Sequence, residues 1–173
     1  MSTTELEPYQ MPRAIVNWLF AECLNEGDLS VADQLVSPDF TGPAGKGPEG
    51  FKAMISPLRE GFPDLRFIIQ DMVAEGSRVV VRWTSQGTHR GMFAGTAPTG
   101  RQVSNEGIAI YRVEDGKIVE SWSQVDRLGV LQQIGAVPTI GRGGPHNQRL
   151  PNKVPLPLTS IPEPSSFGPP KNP

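Results

Sequence analysis

The chain has 173 residues, 16 basic and 18 acidic, for a formal net charge of −2. That length suits one domain with a sizeable core, and the charge gives no electrostatic case for nucleic acid or an anionic membrane surface. One cysteine, Cys23, and two histidines, His89 and His146, rule out an intrachain disulfide framework and a Cys-based zinc site. No apolar run approaches the roughly 20 residues of a membrane span. The acidic, polar start MSTTELEPYQ lacks a secretory pattern, so a cytoplasmic location is expected.

Composition divides the chain into an extension over 1–10, a periodic domain over 11–137 and a tail over 138–173. In the domain, Pro12 suits the first turn of a helix that runs to Asn25. Ile15, Leu19 and Cys23 repeat at four, as do Val16, Phe20 and Leu24, giving a wide apolar face. Cys23 reads as a small buried hydrophobe. Ser30 is placed to cap a short second helix that Pro38 ends. A third helix spans Pro48 to Glu60, with Phe51, Met54, Ile55 and Leu58 on one side.

The period then changes to two. Leu65, Phe67 and Ile69 mark one strand, and Val79, Val81 and Trp83 the next, turning at Glu75-Gly76-Ser77. The glycine-dense GTHRGMFAGTAPTG is a loop or a bulged strand end. It is not a phosphate-binding loop, because no GK[ST] follows. Gln102–Val113 and Lys117–Asp126 form a hairpin closed by Asp115-Gly116, a pair suited to a type I′ turn. LGVLQQIG is a short final helix. Helices first and consecutive antiparallel strands after indicate an α+β fold with the helices on one side of a curved sheet. From Pro138 onward ten of 36 residues are proline, which favours extended, polyproline-like chain. That tail reads as surface-draped or disordered. Alternatively it docks on its own or a neighbouring subunit through Leu150, Val154, Leu156, Leu158, Ile161 and Phe167.

Counting outward from the turn without irregularity pairs Tyr111 with Glu120, Ala109 with Trp122, Gly107 with Gln124 and Asn105 with Asp126. Opposed residues share a face. One face then carries Asn105, Gly107, Ala109, Tyr111, Trp122, Gln124 and Asp126, which describes a pocket with an acid at one end. The other carries Ile108, Ile110, Arg112, Val119, Ser121, Ser123 and Val125. A bulge or a one-residue slip would exchange the faces of one strand.

The run from Arg82 to Gly135 resembles the SnoaL-like polyketide cyclases, or ester cyclases, of the nuclear transport factor two-like superfamily. The resemblance rests on GTHRG, Pro98-Thr99-Gly100, RVEDGKI, Trp122 four residues before Asp126, and LGVLQQIG; GPEGFKAMISPLREGFPDL from Gly47 also fits. It covers roughly residues 10 to 137. It implies a cone-shaped α+β fold with a curved antiparallel sheet, a homodimer, and intramolecular aldol ring closure by one aspartate without metal or organic cofactor. That aspartate falls on Asp126. Many relatives read E-H-W-D where this chain has Glu120-Ser121-Trp122-Ser123, so a mechanism that uses the histidine is not carried over.

Asp126 is thus the candidate acid and base, or else the cap of the last helix. Asn105 would orient it or donate to an enolate oxygen. His89 would be a second acid–base group or a loop hydrogen-bonder. Trp122, Gln124, Trp83 and Tyr111 would hold the substrate. Arg82 and Arg101 read as solvent-facing ion-pair formers, or else as binders of a substrate carboxylate or ester. Three functions compete: a cyclase or isomerase for a small carbonyl compound, a non-catalytic binder of an apolar molecule, and an assembly protein acting through its tail.

Overall fold

The computed structural model of this chain describes residues 10–138. The proline-rich tail and its six candidate docking residues lie outside the described residues. Helix α1 (Gln10–Trp18) runs directly into a π-helical stretch, Leu19–Glu26, and the short α2 (Val31–Leu35) follows. Ser30 precedes α2, but its hydroxyl bonds the Asp28 carboxylate at 2.6 Å and does not cap the helix. The two-residue strands β1 (Thr41–Gly42) and β2 (Gly45–Lys46) lead into α3 (Gly47–Gly61). Pro57 is accommodated within the last turns of α3.

Four antiparallel strands complete the domain: β3 (Arg66–Glu75), β4 (Arg78–Thr88), β5 (Gln102–Glu114) and β6 (Lys117–Val125). Helix α4 (Arg127–Ile134) closes it. The β5–β6 turn has Asp115 at φ 47° and Gly116 at φ 74°, the type I′ geometry that the Asp-Gly pair favours.

The four long strands lie in the order β3-β4-β5-β6. This corrects the expected cone. The sheet is neither curled nor closed; β3 and β6 are its two edges and do not pair with each other. Closure needs a ring of strands with consistent tilt and stagger, and a four-strand meander has only three pairings. Among the described residues, helices cover one face only. Val16, Leu19, Cys23, Phe51 and Val36 pack there on Val79, Val81 and Ile118, all nearly inaccessible to solvent. Each such buried side chain contributes about 1.5–3 kcal/mol. A second, smaller cluster joins Val130 and Ile134 of α4 to Phe62, Leu65 and Val103.

The hairpin register departs from an even count. Glu114 faces Lys117 and Val113 faces Ile118, as expected, but Arg112 then faces Glu120. Val119 is therefore an extra residue on β6, a β-bulge. Beyond it Tyr111 meets Ser121, Ile110 meets Trp122, Ala109 meets Ser123 and Gly107 meets Val125. Every β6 side chain past Val119 sits on the opposite face from the one an even count assigns. The cause is charge. Without the bulge, Glu120 would stand opposite buried Tyr111 on the apolar face, and burying an unpaired carboxylate costs several kcal/mol. With it, Glu120 turns outward and accepts from Arg112 Nε at 2.9 Å. That bond holds the Glu120 carboxyl below its ordinary pKa.

Candidate active site

Helices and sheet do not meet solidly. They enclose a cavity of about 220 Å³. Its roof is apolar: Phe20 and Leu24 of the π-helical stretch, and Phe51, Met54, Ile55 and Leu58 of α3. One end is closed by Phe93, whose ring packs edge-on against Phe62 at 5.0 Å, and by Val130 and Leu131 of α4.

The floor is the inner face of β4, β5 and β6, and strand register orders it in rows. Tyr111 and Ser121 share one row, and Ala109 and Ser123 the next. Trp83, Gly107 and Val125 follow, then Ser85 with Asn105. Gly107 is required where it is. A Cβ there would stand 2.3 Å from Cζ2 of Trp83, so only glycine lets the indole lie across β5. Phe67 packs edge-on against that indole at 5.0 Å and fixes its orientation.

Polar groups are few. Ser85, Asn105, Tyr111, Ser121, Ser123 and Arg127 line the cavity. Tyr111 is buried, with its ring edge-on to Phe20 at 6.3 Å. Burial, reinforced by Cys23, raises its phenol pKa well above the ordinary tyrosine value, so it stays protonated. Cys23 is buried in the core, and burial first and the Asp28 charge second push its thiol up to about 11. It is not a nucleophile near neutrality. Asn105 Oδ1 accepts the backbone N–H of Glu106 at 2.9 Å. The acceptor end of its carboxamide is thereby engaged, and Nδ2 has no partner among the described residues.

Of the residues expected at the site, Asn105, Trp83 and Tyr111 are brought together around this cavity. Trp122 and Gln124 are not. The Val119 bulge puts both on the outer face of the sheet, where Trp122 is 49 % exposed and Gln124 is exposed. Asp126 lies between two lining residues, Val125 and Arg127, but its own carboxylate is exposed and caps α4, with Oδ1 accepting from Gly129 N at 2.7 Å. His89 is fully buried just beyond β4 and does not line the cavity. Its Nδ1 is 3.0 Å from Thr99 Oγ1 and its ring lies 5.4 Å from Phe62, while Nε2 has no partner among the described residues. Its place is at the base of the loop that carries Phe93. Arg82 forms an ion pair with Asp71, and Arg101 donates to the Gln133 carbonyl.

Ser85, Ser121, Ser123 and Arg127 are the lining polar groups that the sequence did not single out for the site. For the two β6 serines the available signal was Glu120, which an even register would have buried. Among the described residues no three His, Cys, Asp or Glu side chains gather as a metal site requires, and no helix is long and apolar enough to cross a membrane.

The profile of the SnoaL-like polyketide cyclases matches residues 14–134. The nogalonic acid methyl ester cyclase of Streptomyces nogalater is 29% identical over 118 residues, spanning 64% of this chain and 88% of that protein. The aklanonic acid methyl ester cyclase of Streptomyces peucetius is 30% identical over 122 residues, spanning 70% of this chain and 77% of the relative. Among solved structures, TsrD from Streptomyces laurentii superposes with a TM-score of 0.69 at 31% identity, covering 77% of this chain and 100% of its own.

Proposed function

The chain belongs to the SnoaL-like polyketide cyclase family, and on that premise we propose that it closes a ring in a small carbonyl compound of polyketide type by acid–base catalysis without a cofactor. The observation that carries this reading is the position of Asp126. It stands between Val125 and Arg127, two residues that line an apolar cavity in which Asn105 offers its amide N–H groups.

In this reading the flat apolar body of the substrate lies on Trp83 under the Phe20 and Phe51 roof, with the neutral Tyr111 phenol at the far end of the floor. The Asp126 carboxylate takes a proton from a carbon next to a carbonyl. The C–H electron pair moves into a C=C bond, and the carbonyl oxygen becomes an enolate that Asn105 Nδ2 stabilises. The enolate carbon attacks a second carbonyl of the same molecule and forms the new C–C bond. The resulting alkoxide takes the proton back from Asp126. Substrate and product have the same composition, so no oxidant or reductant is needed. Capping α4 through Oδ1 orients the carboxylate while its second oxygen serves as the base.

Turnover of the methyl esters of nogalonic and aklanonic acids, followed as a change of retention at constant mass, is the direct test. Conversion by the wild type, with Asp126→Asn slowed at least about 100-fold, supports the reading. Equal turnover by both removes Asp126 from the chemistry. A second reading, a non-catalytic binder of an apolar molecule, is favoured by one specific fact: no carboxylate or imidazole is among the described residues that line the cavity. Tight binding of these esters without conversion would select it.

The homodimer belongs to the same proposal. The uncovered sheet face displays Ile108, Ile110 and Trp122, 44%, 36% and 49% exposed, and a second copy would pair there. Light scattering on wild type and Trp122→Glu decides it: the expected outcome is a dimer that the substitution dissociates.

A further inference from the structure

Ser85 is 6% exposed, lines the cavity and stands directly across from Asn105 in the β4–β5 ladder. Directly opposed side chains have Cβ atoms about 4.5–5.5 Å apart, so one oxygen atom above the pair can reach both. In the adjoining row, Trp83, Gly107 and Val125, the one polar side-chain group is the Trp83 indole N–H. The two residues thus form a hydrogen-bonding pair at the Arg127 end of the floor, separated from Ser123 by the row of Trp83, Gly107 and Val125. Asn105 brings its Nδ2 amide there as a donor, while its Oδ1 accepts from Glu106 N. Ser85 supplies a hydroxyl, which can also donate. Ser85 is paired on both sides, with Phe67 of β3 and Asn105 of β5, and Asn105 pairs with Ser85 just beyond the last β5–β6 pair, Gly107 with Val125.

We propose that Ser85 and Asn105 together form the oxyanion site of the reaction, two neutral donors that converge on the carbonyl oxygen which becomes the enolate. This rests on the ring-closure reading above. It adds Ser85 as a residue that touches the reacting atoms, and it restricts the substrate to one whose enolising carbonyl is at the edge of the flat body that reaches the Arg127 end of the cavity. The C–H pair moves onto that oxygen, the two donors hold the charge, and the pair returns to form the C–C bond.

The test uses the full chain and Ser85→Ala, a change that removes one hydroxyl and creates no clash. Thermal melts establish that the variant is folded. With the methyl ester substrates, kcat falls about 100-fold while KM stays within about threefold, the pattern of an interaction made in the transition state. An unchanged kcat, with or without a change in KM, overturns the proposal. A second measurement needs no turnover. 2-Naphthol has a flat apolar body and one acidic oxygen, and its acid and anion fluoresce differently. Wild type is expected to lower the pH at which the bound naphthol ionises, relative to Ser85→Ala, and to bind 2-methylnaphthalene as tightly as the variant does. Equal ionisation of naphthol on the two proteins overturns the proposal. If Asp126→Asn retains turnover while the naphthol shift persists, the base assignment fails and the oxyanion site stands.

Discussion

One pair of substitutions can separate the observed capping role of Asp126 from its proposed acid–base role. Its Oδ1 accepts from Gly129 N at 2.7 Å and caps the eight-residue α4. That helix supplies Val130 and Ile134 to the smaller core cluster, so fraying at its start loosens real packing. Removing an aspartate cap costs about 1 kcal/mol. In a domain of this size that corresponds to a fall in Tm of about 3–5 °C. Asn keeps a side-chain oxygen of the same reach and preserves the cap, but cannot take up a proton. Asp126→Ala is therefore expected to melt about 3–5 °C lower, and Asp126→Asn within about 1 °C of wild type. Both should lose turnover by about 100-fold or more. Differential scanning calorimetry and the ester assay, run on the same preparations, read the two roles independently. An Asp126→Asn protein with undiminished turnover would refute the acid–base assignment, and an unshifted Tm in Asp126→Ala would refute the cap.

Three further outcomes test the register, the floor and the electrostatics. Because Trp83 lines the cavity and Trp122 faces outward, Trp83→Ala should weaken binding of 2-methylnaphthalene at least about tenfold, through about 1.5 kcal/mol or more of lost aromatic contact. Trp122→Ala should leave it unchanged, and the reverse result would restore the even register. Gly107→Ala places a methyl 2.3 Å from the Trp83 ring; urea titration should show about 1–3 kcal/mol of lost stability, with a shift in tryptophan emission as the indole is displaced. Asp64 accepts from Thr88 N and Thr88 Oγ1, both at 2.7 Å, and these bonds lower its pKa. A depressed carboxyl stabilises the fold above its unfolded value near pH 4 and loses that contribution as pH falls through the folded value. The Tm difference between wild type and Asp64→Asn should be largest near neutrality and shrink below about pH 4.

Much of the architecture is legible residue by residue. The four-residue repeats of Ile15, Leu19 and Cys23 and of Val16, Phe20 and Leu24 identify the first helical segment, though its second half is π-helical. Asp115-Gly116 fixes the hairpin turn because its two left-handed residues suit a type I′ geometry. Asn105, Gly107, Ala109 and Tyr111 share the inner face because β5 alternates without interruption. Local preferences alone settle these points. The curved sheet was expected from the order of the elements and the cone from the resemblance, and the strand pairing supports neither.

The other half of the floor needed the third dimension. A period of two transmits a single irregularity to every residue beyond it, and KIVESW signals it only through Glu120, which an even register would bury, without marking which residue is extra. What places the bulge is the joint demand of Ile118, which must be fully buried against Val113, and Glu120, which must reach Arg112 and not the cavity. Those partners are distant along the chain or lie across strands, and their competition is an energy difference between whole registers. The sequence by itself determined the order of helices and strands, the turn that joins β5 to β6, and the family. Only the tertiary structure decided that Ser121 and Ser123 face the cavity while Trp122 and Gln124 face away, that Ser85 meets Asn105, and that the Asp126 carboxylate caps a helix at the cavity's edge. Charge burial and packing, which act between elements, made those choices.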